Sequence, residues 1–128
     1  MVSRSLFSKK SDDWSTPVSL YRELDSEFKF TDDPCPLGGV DGLVRDWGTR
    51  VFCNPPYSNI KGFLEKARVE MEKKTELAVF LVPSRTDTKW FHEYLYHKAE
   101  LRFIRGRLKF GESKNSAPFP SMLAIFRK

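Results

Sequence analysis

The apolar run Val51-Phe52-Cys53 stops abruptly in Asn54-Pro55-Pro56-Tyr57-Ser58, and no other stretch limits the fold as severely. A proline lacks an amide hydrogen and fixes its own φ, so two in succession end any strand or helix and hold a rigid, extended bend. That bend leaves backbone carbonyls unpaired. Residues 51–53 read as the end of a buried strand, which places Asn54 to Tyr57 at a strand's carboxyl end, where open α/β sheets bind ligands. There the Asn54 side-chain oxygen and the Pro55 carbonyl can accept both hydrogens of one planar amino group. Such a group is a poor nucleophile because its lone pair is delocalised. Two acceptors draw the nitrogen towards tetrahedral geometry and so favour the transition state over the ground state. Tyr57 offers a face on which a planar ring can stack. Asn54, Pro55, Pro56 and Tyr57 therefore form a candidate catalytic site, and a plain structural turn is the competing reading.

The rest of the chain supports a single α/β domain. Residues 1–12 are polar and basic and read as a loose tail, with one domain over 13–128. Ser15-Thr16-Pro17 reads as a cap and first-turn proline, with Val18, Tyr21, Leu24 and Phe28 at near-helical spacing behind it. Residues 28–31 read as a first strand that runs into Asp32-Asp33-Pro34-Cys35-Pro36. After the double proline, Ser58 or Asn59 can cap a helix whose apolar stripe is Ile60, Phe63, Leu64, Ala67 and Met71, and the charged run over 70–76 reads as its solvated end. Residues 77–82 are continuously apolar, as expected of a central strand buried on both faces.

This strand also ends in a proline, so Arg85 and Thr86 fall on the same rim as Asn54. Asp87 or Thr88 can cap the following helix, Asp87 being preferred, with Trp90, Phe91, Tyr94 and Leu95 as its apolar face. Residues 101–104 and 122–126 read as the last strands. Between them Arg107 and Lys109 alternate with Leu108 and Phe110, which predicts an extended segment with one basic and one apolar edge. Trp47 is assigned to packing.

Taken together these segments resemble a known family. The Asn-Pro-Pro-Tyr tetrapeptide resembles the catalytic motif of amino-methyltransferases, which use S-adenosylmethionine to methylate adenine, cytosine or glutamine amino groups. Asp13-Trp14-Ser15-Thr16-Pro17, residues 30–35, Asp41-Gly42-Leu43, the tetrapeptide, residues 83–91 and residues 106–111 occur in the order of the small phage-type DNA adenine methyltransferase family. The resemblance covers nearly the whole chain. It implies a reduced, Rossmann-like class I methyltransferase fold with a mostly parallel sheet and a C-terminal β-hairpin. It implies S-adenosylmethionine as methyl donor, DNA as partner, base flipping and direct in-line methyl transfer to the adenine 6-amino group.

It also implies roles for named residues. Trp14, Thr16 and Pro17 would line the methionine end of the donor, where Thr16 as a plain N-cap and Trp14 as a packing residue are the alternative. Asp32 and Asp33, with Pro34 and Cys35 after them, would contact the donor's ammonium or ribose, against an exposed turn pair. Asp41 would meet its adenine or ribose, against a turn aspartate. Arg85 and Thr86 would hold a phosphate beside the extruded base, and Arg107 and Lys109 would grip the backbone, with Asn115 a weaker candidate. The sequence departs from the wider methyltransferase pattern at 34–36, where Pro34-Cys35-Pro36 stands in place of a glycine-rich turn. Gly38 and Gly39 follow it.

Lys+Arg 22 against Asp+Glu 17 gives a net charge of +5, which suits a polyanionic partner and says nothing of fold. The two cysteines, Cys35 and Cys53, lack CxxC spacing, and no long apolar run follows the amino terminus, so a reduced, cytoplasmic protein without a membrane segment is expected. A phage or prophage origin is implied by the resemblance alone. His92 and His97 lack metal-site neighbours and read as surface residues, so no metal is expected. Cytosine 4-amino methylation, glutamine methylation and a nucleic-acid-binding module without catalysis are the other readings, and monomer and homodimer both stay open.

Overall fold

The structure, a computed structural model, describes residues 15–36, 41–110 and 116–128. Helix α1 (Val18–Phe28) buries Leu24 and Phe28. It stops at Lys29, whose φ of 56° is left-handed and whose N–H returns to the Asp25 carbonyl. Strand β1 (Arg50–Cys53) leads through the double proline and a 3₁₀ turn (Tyr57–Asn59) into helix α2 (Ile60–Met71). Strand β2 (Leu77–Pro83) is followed by a single π-helical turn (Phe91–Leu95), strand β3 (Glu100–Phe103) and strand β4 (Ser121–Arg127).

The four strands form one mixed sheet in the order β1-β2-β4-β3. β1 runs parallel to β2, with Val51 opposite Ala78, while β4 is antiparallel to both β2 and β3, with Ala124 opposite Phe80 and Leu101. The expectation of a mostly parallel sheet is thus corrected to one parallel pair and two antiparallel ones among the described residues. The cause is length. A parallel pair needs a crossover of a dozen or more residues, and α2 is the single helix that bridges two neighbouring strands here.

All seven residues of β2 are buried, and its alternation feeds two cores. Ala78, Phe80 and Val82 pack with Phe63, Leu64 and Ala67 of α2 and with Trp47. Leu77, Val79 and Leu81 pack on the opposite face with Leu24 and Phe28 of α1 and with Phe110 and Phe119. α2 follows the expected stripe, and Asn59 is its cap, its Oδ1 accepting from Gly62 N–H at 3.1 Å.

Several local expectations are overturned. Residues 28–31 are not a strand, because Phe28 is the last residue of α1 and is buried as part of it. The Asp25 carboxylate takes the Phe30 N–H at 2.9 Å and turns the chain. The segment then meets β1 through one parallel bridge, Asp32 to Val51, and Pro34 has no N–H with which to extend a ladder. The helix after β2 is capped by Thr88 rather than Asp87, since Thr88 Oγ1 accepts from Phe91 N–H at 3.3 Å. Glu70 does not belong to a solvated end: it is fully buried, accepting the Trp47 N–H at 2.9 Å between Lys66 and Lys73 at 3.1 and 3.3 Å.

β3 and β4 pair as the expected antiparallel hairpin, but no strand occurs in residues 104–110 of the connection between them. Ala117 N–H donates to the Leu108 carbonyl at 2.7 Å. The alternation is kept, with Arg107 and Lys109 exposed, Leu108 half-buried and Phe110 buried.

Candidate active site

The carboxyl ends of β1 and β2 lie at one end of the sheet, because those strands are parallel. The connection from β3 to β4 returns to that same end: Phe103 lies opposite Met122, Ser121 lies opposite Pro83, and Ser84 N–H donates to the Pro120 carbonyl at 2.9 Å. The Asn-Pro-Pro-Tyr bend, the turn carrying Arg85 and Thr86, and the segment of Arg107 and Lys109 therefore share one rim.

Asn54 is held there from the residues just before α1. Its Nδ2 donates to Thr16 Oγ1 at 3.0 Å, and its Oδ1 is buried. This settles the local role of Thr16 differently from a plain cap: the cap position of α1 is Pro17, with no side-chain cap bond. Pro55 is buried and Pro56 half-buried. Tyr57 is half-buried with its Oη enclosed, and its ring meets Phe119 edge-on at 5.2 Å and 69°. Burial pushes its phenol up despite the opposing field of Arg85. Phe119 is a site neighbour that sequence reasoning missed, although the Pro118-Phe119-Pro120 run fixes its backbone.

A cavity of about 460 Å³ opens beside Asn54. Thr16, Asp33, Cys35 and Asn54 line it, as do Tyr21, Arg22, Asp25 and Phe52; the last four are not among the site residues read from the sequence. The signal was present in part, since Tyr21 and Asp25 stand four apart on one helical face. The volume is that of a small-molecule site. Its donors and acceptors fit a molecule bearing an ammonium group and hydroxyls.

The two adjacent aspartates divide their roles. Arg45 clamps Asp32 with two bonds of 2.9 and 3.0 Å, and Gly48 N–H donates to it at 2.9 Å. Burial opposes ionisation of Asp32, but the Arg45 and Gly48 bonds outweigh it and hold its carboxyl below the usual range. Asp32 therefore fastens the loop before β1 and does not line the cavity, nor do Pro17 and Pro34. Gly42 approaches the Pro34 carbonyl so closely that a Cβ there would sit 2.0 Å from the oxygen. The 41–43 turn is thus pressed against the segment that stands in place of a glycine-rich turn. Trp14, Gly38, Gly39, Asn115 and the side chain of Asp41 lie outside the described residues.

Asp33 faces the cavity, and burial raises its carboxyl from 3.8 to about 6, against the Cys35 N–H that lowers it. The folded chain therefore binds more protons than the unfolded chain between those two values, so this contribution is complete below the unfolded value and is lost as pH rises through about 6. At neutral pH the ionised carboxylate costs roughly 3 kcal/mol. Asp33→Asn is expected to raise the melting temperature at pH 7.5 and to leave it unchanged at pH 4. A variant less stable than the wild type at pH 7.5 contradicts this.

Arg85, Thr86, Arg107 and Lys109 are exposed on the rim, and the Thr86 carbonyl is held by His92 Nε2 at 2.8 Å. His92 and His97 are exposed, and Cys35 and Cys53 are buried free thiols. Among the described residues no group of three or more His, Cys, Asp or Glu side chains is placed to hold a metal, and no helix is long and apolar enough to cross a membrane.

Fold and cavity together define an α/β protein with a cavity of small-molecule size at the carboxyl edge of its sheet, beside a basic rim. Comparison with known proteins narrows the class. Residues 4–128 match the family described as DNA N-6-adenine-methyltransferase (Dam), and the chain belongs to that family of enzymes. It is 30% identical to the DNA N-6-adenine-methyltransferase of Haemophilus phage HP1, across 92% of this chain and 81% of that protein. It is 37% identical to the DNA N-6-adenine-methyltransferase of Escherichia phage T1, across 52% of this chain and 28% of that protein.

Proposed function

We propose that this chain transfers a methyl group from S-adenosylmethionine to the 6-amino group of adenine in DNA, at Asn54 and beside the 460 Å³ cavity. The observation that carries the reading is the position of Asn54: it stands at the end of β1, is held by Thr16, and forms a wall of that cavity. One acceptor group thus borders both the small-molecule site and the basic rim.

When bound, the donor supplies an electrophilic sulfonium methyl. The chain supplies acceptors and position. Asn54 Oδ1 and the Pro55 carbonyl would receive the amino hydrogens of the base and localise its lone pair for attack. Tyr57, braced edge-on by Phe119, gives the base a ring to stack on. An adenine in duplex DNA has its amino group paired, so the base must be extruded to reach the rim. Arg85, Thr86, Arg107 and Lys109 hold the flanking phosphates. The unit β1-α2-β2 is the retained portion of a Rossmann-like methyltransferase core, and β4 closes the sheet in place of further parallel strands. The homologues from Haemophilus phage HP1 and Escherichia phage T1 support a phage or prophage origin.

Ultraviolet cross-linking of methyl-labelled S-adenosylmethionine, followed by peptide mapping, tests the site. Label competed away by unlabelled donor and confined to peptides from 15–36 or 52–57 is expected. Competable label elsewhere, or none, contradicts it.

A further inference from the structure

The cavity beside Asn54 carries a charge pattern that methyl transfer alone does not require. Arg22 is the one cation among its described lining residues, and two carboxylates, Asp25 and Asp33, line the same space. Arg22 and Asp25 stand three apart on α1, a spacing that ordinarily favours an ion pair. No ion pair or hydrogen bond is formed by Arg22 among the described residues.

The contrast with Asp32 is direct, since that carboxylate is consumed by Arg45 in a two-bond clamp. Asp25 and Asp33 each spend Oδ1 on a backbone N–H, from Phe30 at 2.9 Å and Cys35 at 3.1 Å. Among the described residues, Oδ2 of each remains for a further donor. A plain anion or a plain cation would satisfy only part of a site lined by both a guanidinium and carboxylates. Such a site suits a ligand bearing both charges close together.

The geometry points to Arg22 as the residue that binds the α-carboxylate of a zwitterionic amino-acid group, with Asp33 and Asp25 receiving its α-ammonium. This rests on the reading of the cavity as the methyl-donor site, and it names how the donor's methionine end is recognised without a glycine-rich turn. A guanidinium fork takes a carboxylate with two parallel bonds, which a lysine cannot reproduce.

Calorimetric titration of the full chain with S-adenosylmethionine and with its decarboxylated analogue tests the assignment. Arg22→Ala is expected to weaken binding of S-adenosylmethionine by about tenfold or more, and Arg22→Lys by less. The decarboxylated analogue is expected to bind wild type and Arg22→Ala within about twofold, because the group that Arg22 recognises is absent from it. Arg22 is exposed, so thermal melts of the variants should match that of the wild type. Equal weakening of both ligands assigns Arg22 a structural role and overturns the inference, as does unchanged binding of both. A wild-type chain that binds neither ligand removes the donor-site reading and the inference together.

Discussion

Replacing Asn54 with alanine is expected to lower methyl transfer to DNA by roughly a hundredfold or more, the loss that follows removal of one preorganised acceptor at a reacting centre. Asn54 Oδ1 is buried where β1 ends, and its Nδ2 is fixed by Thr16 Oγ1 at 3.0 Å. The side chain is therefore oriented before substrate arrives, which is the condition for an acceptor to act on the transition state rather than merely on binding. The same substitution removes one hydrogen bond between β1 and the start of α1, worth about 1 kcal/mol of stability. A fall in rate far larger than the fall in melting temperature separates the chemical role from a structural one. Thr16→Val provides the comparison: it leaves Asn54 in place but releases its amide, so it should reduce the rate by less. Should Asn54→Ala retain more than a tenth of the wild-type rate, the two-acceptor account fails.

Glu70→Ala is expected to cost about 3 kcal/mol of stability, the scale for leaving charged and backbone partners of a buried carboxylate unpaired. Glu70 is fully buried, takes the Trp47 N–H at 2.9 Å and lies between Lys66 and Lys73. Burial works against its ionisation, but the Trp47 N–H and the two ammonium groups outweigh that and hold its carboxyl below the usual range. Its contribution is therefore present at neutral pH and fades as pH falls through the lowered value. Trp47 in turn donates from Nε1 to the Gly42 carbonyl at 2.7 Å. Gly48 is tied to Thr75 at 2.8 Å and to Asp32 at 2.9 Å. Glu70 thus secures the loop whose Arg45 and Gly48 fix Asp32, the neighbour of the cavity-lining Asp33. A melting temperature lowered by about 10 °C is expected for a domain of this size; a change near zero would show the carboxylate to be replaceable by water.

The parts of the fold written in local chemistry were legible. Asn59 capped the helix it preceded, the stripe from Ile60 to Ala67 faced the core, and the apolar run of β2 was buried along its whole length. Residues with two local solutions were not. Phe28 fits both the helical spacing of α1 and the β-rich run that follows it, and burial of its ring in the helix decided the matter. Thr16 precedes a proline as caps do, yet its oxygen serves Asn54, thirty-eight residues away. Glu70 reads as surface charge until Trp47 and two lysines surround it. Tyr21, Arg22 and Asp25 were hidden as cavity residues for the same reason: only the docking of α1 beside the end of β1 makes their face a wall. Parallel order was over-read because an apolar strand buried on both faces is compatible with an antiparallel neighbour, and β4 supplied one.

Identification of the methylated nucleoside tests the central claim most directly. The full chain is incubated with methyl-labelled S-adenosylmethionine and unmethylated duplex DNA, and the DNA is digested to nucleosides and resolved by mass. Label in N6-methyldeoxyadenosine, lost with Asn54→Ala, is the predicted result. Label in methyldeoxycytidine would keep the acceptor chemistry and overturn the assigned base. A folded chain that binds the donor and transfers no methyl group to DNA would contradict the account.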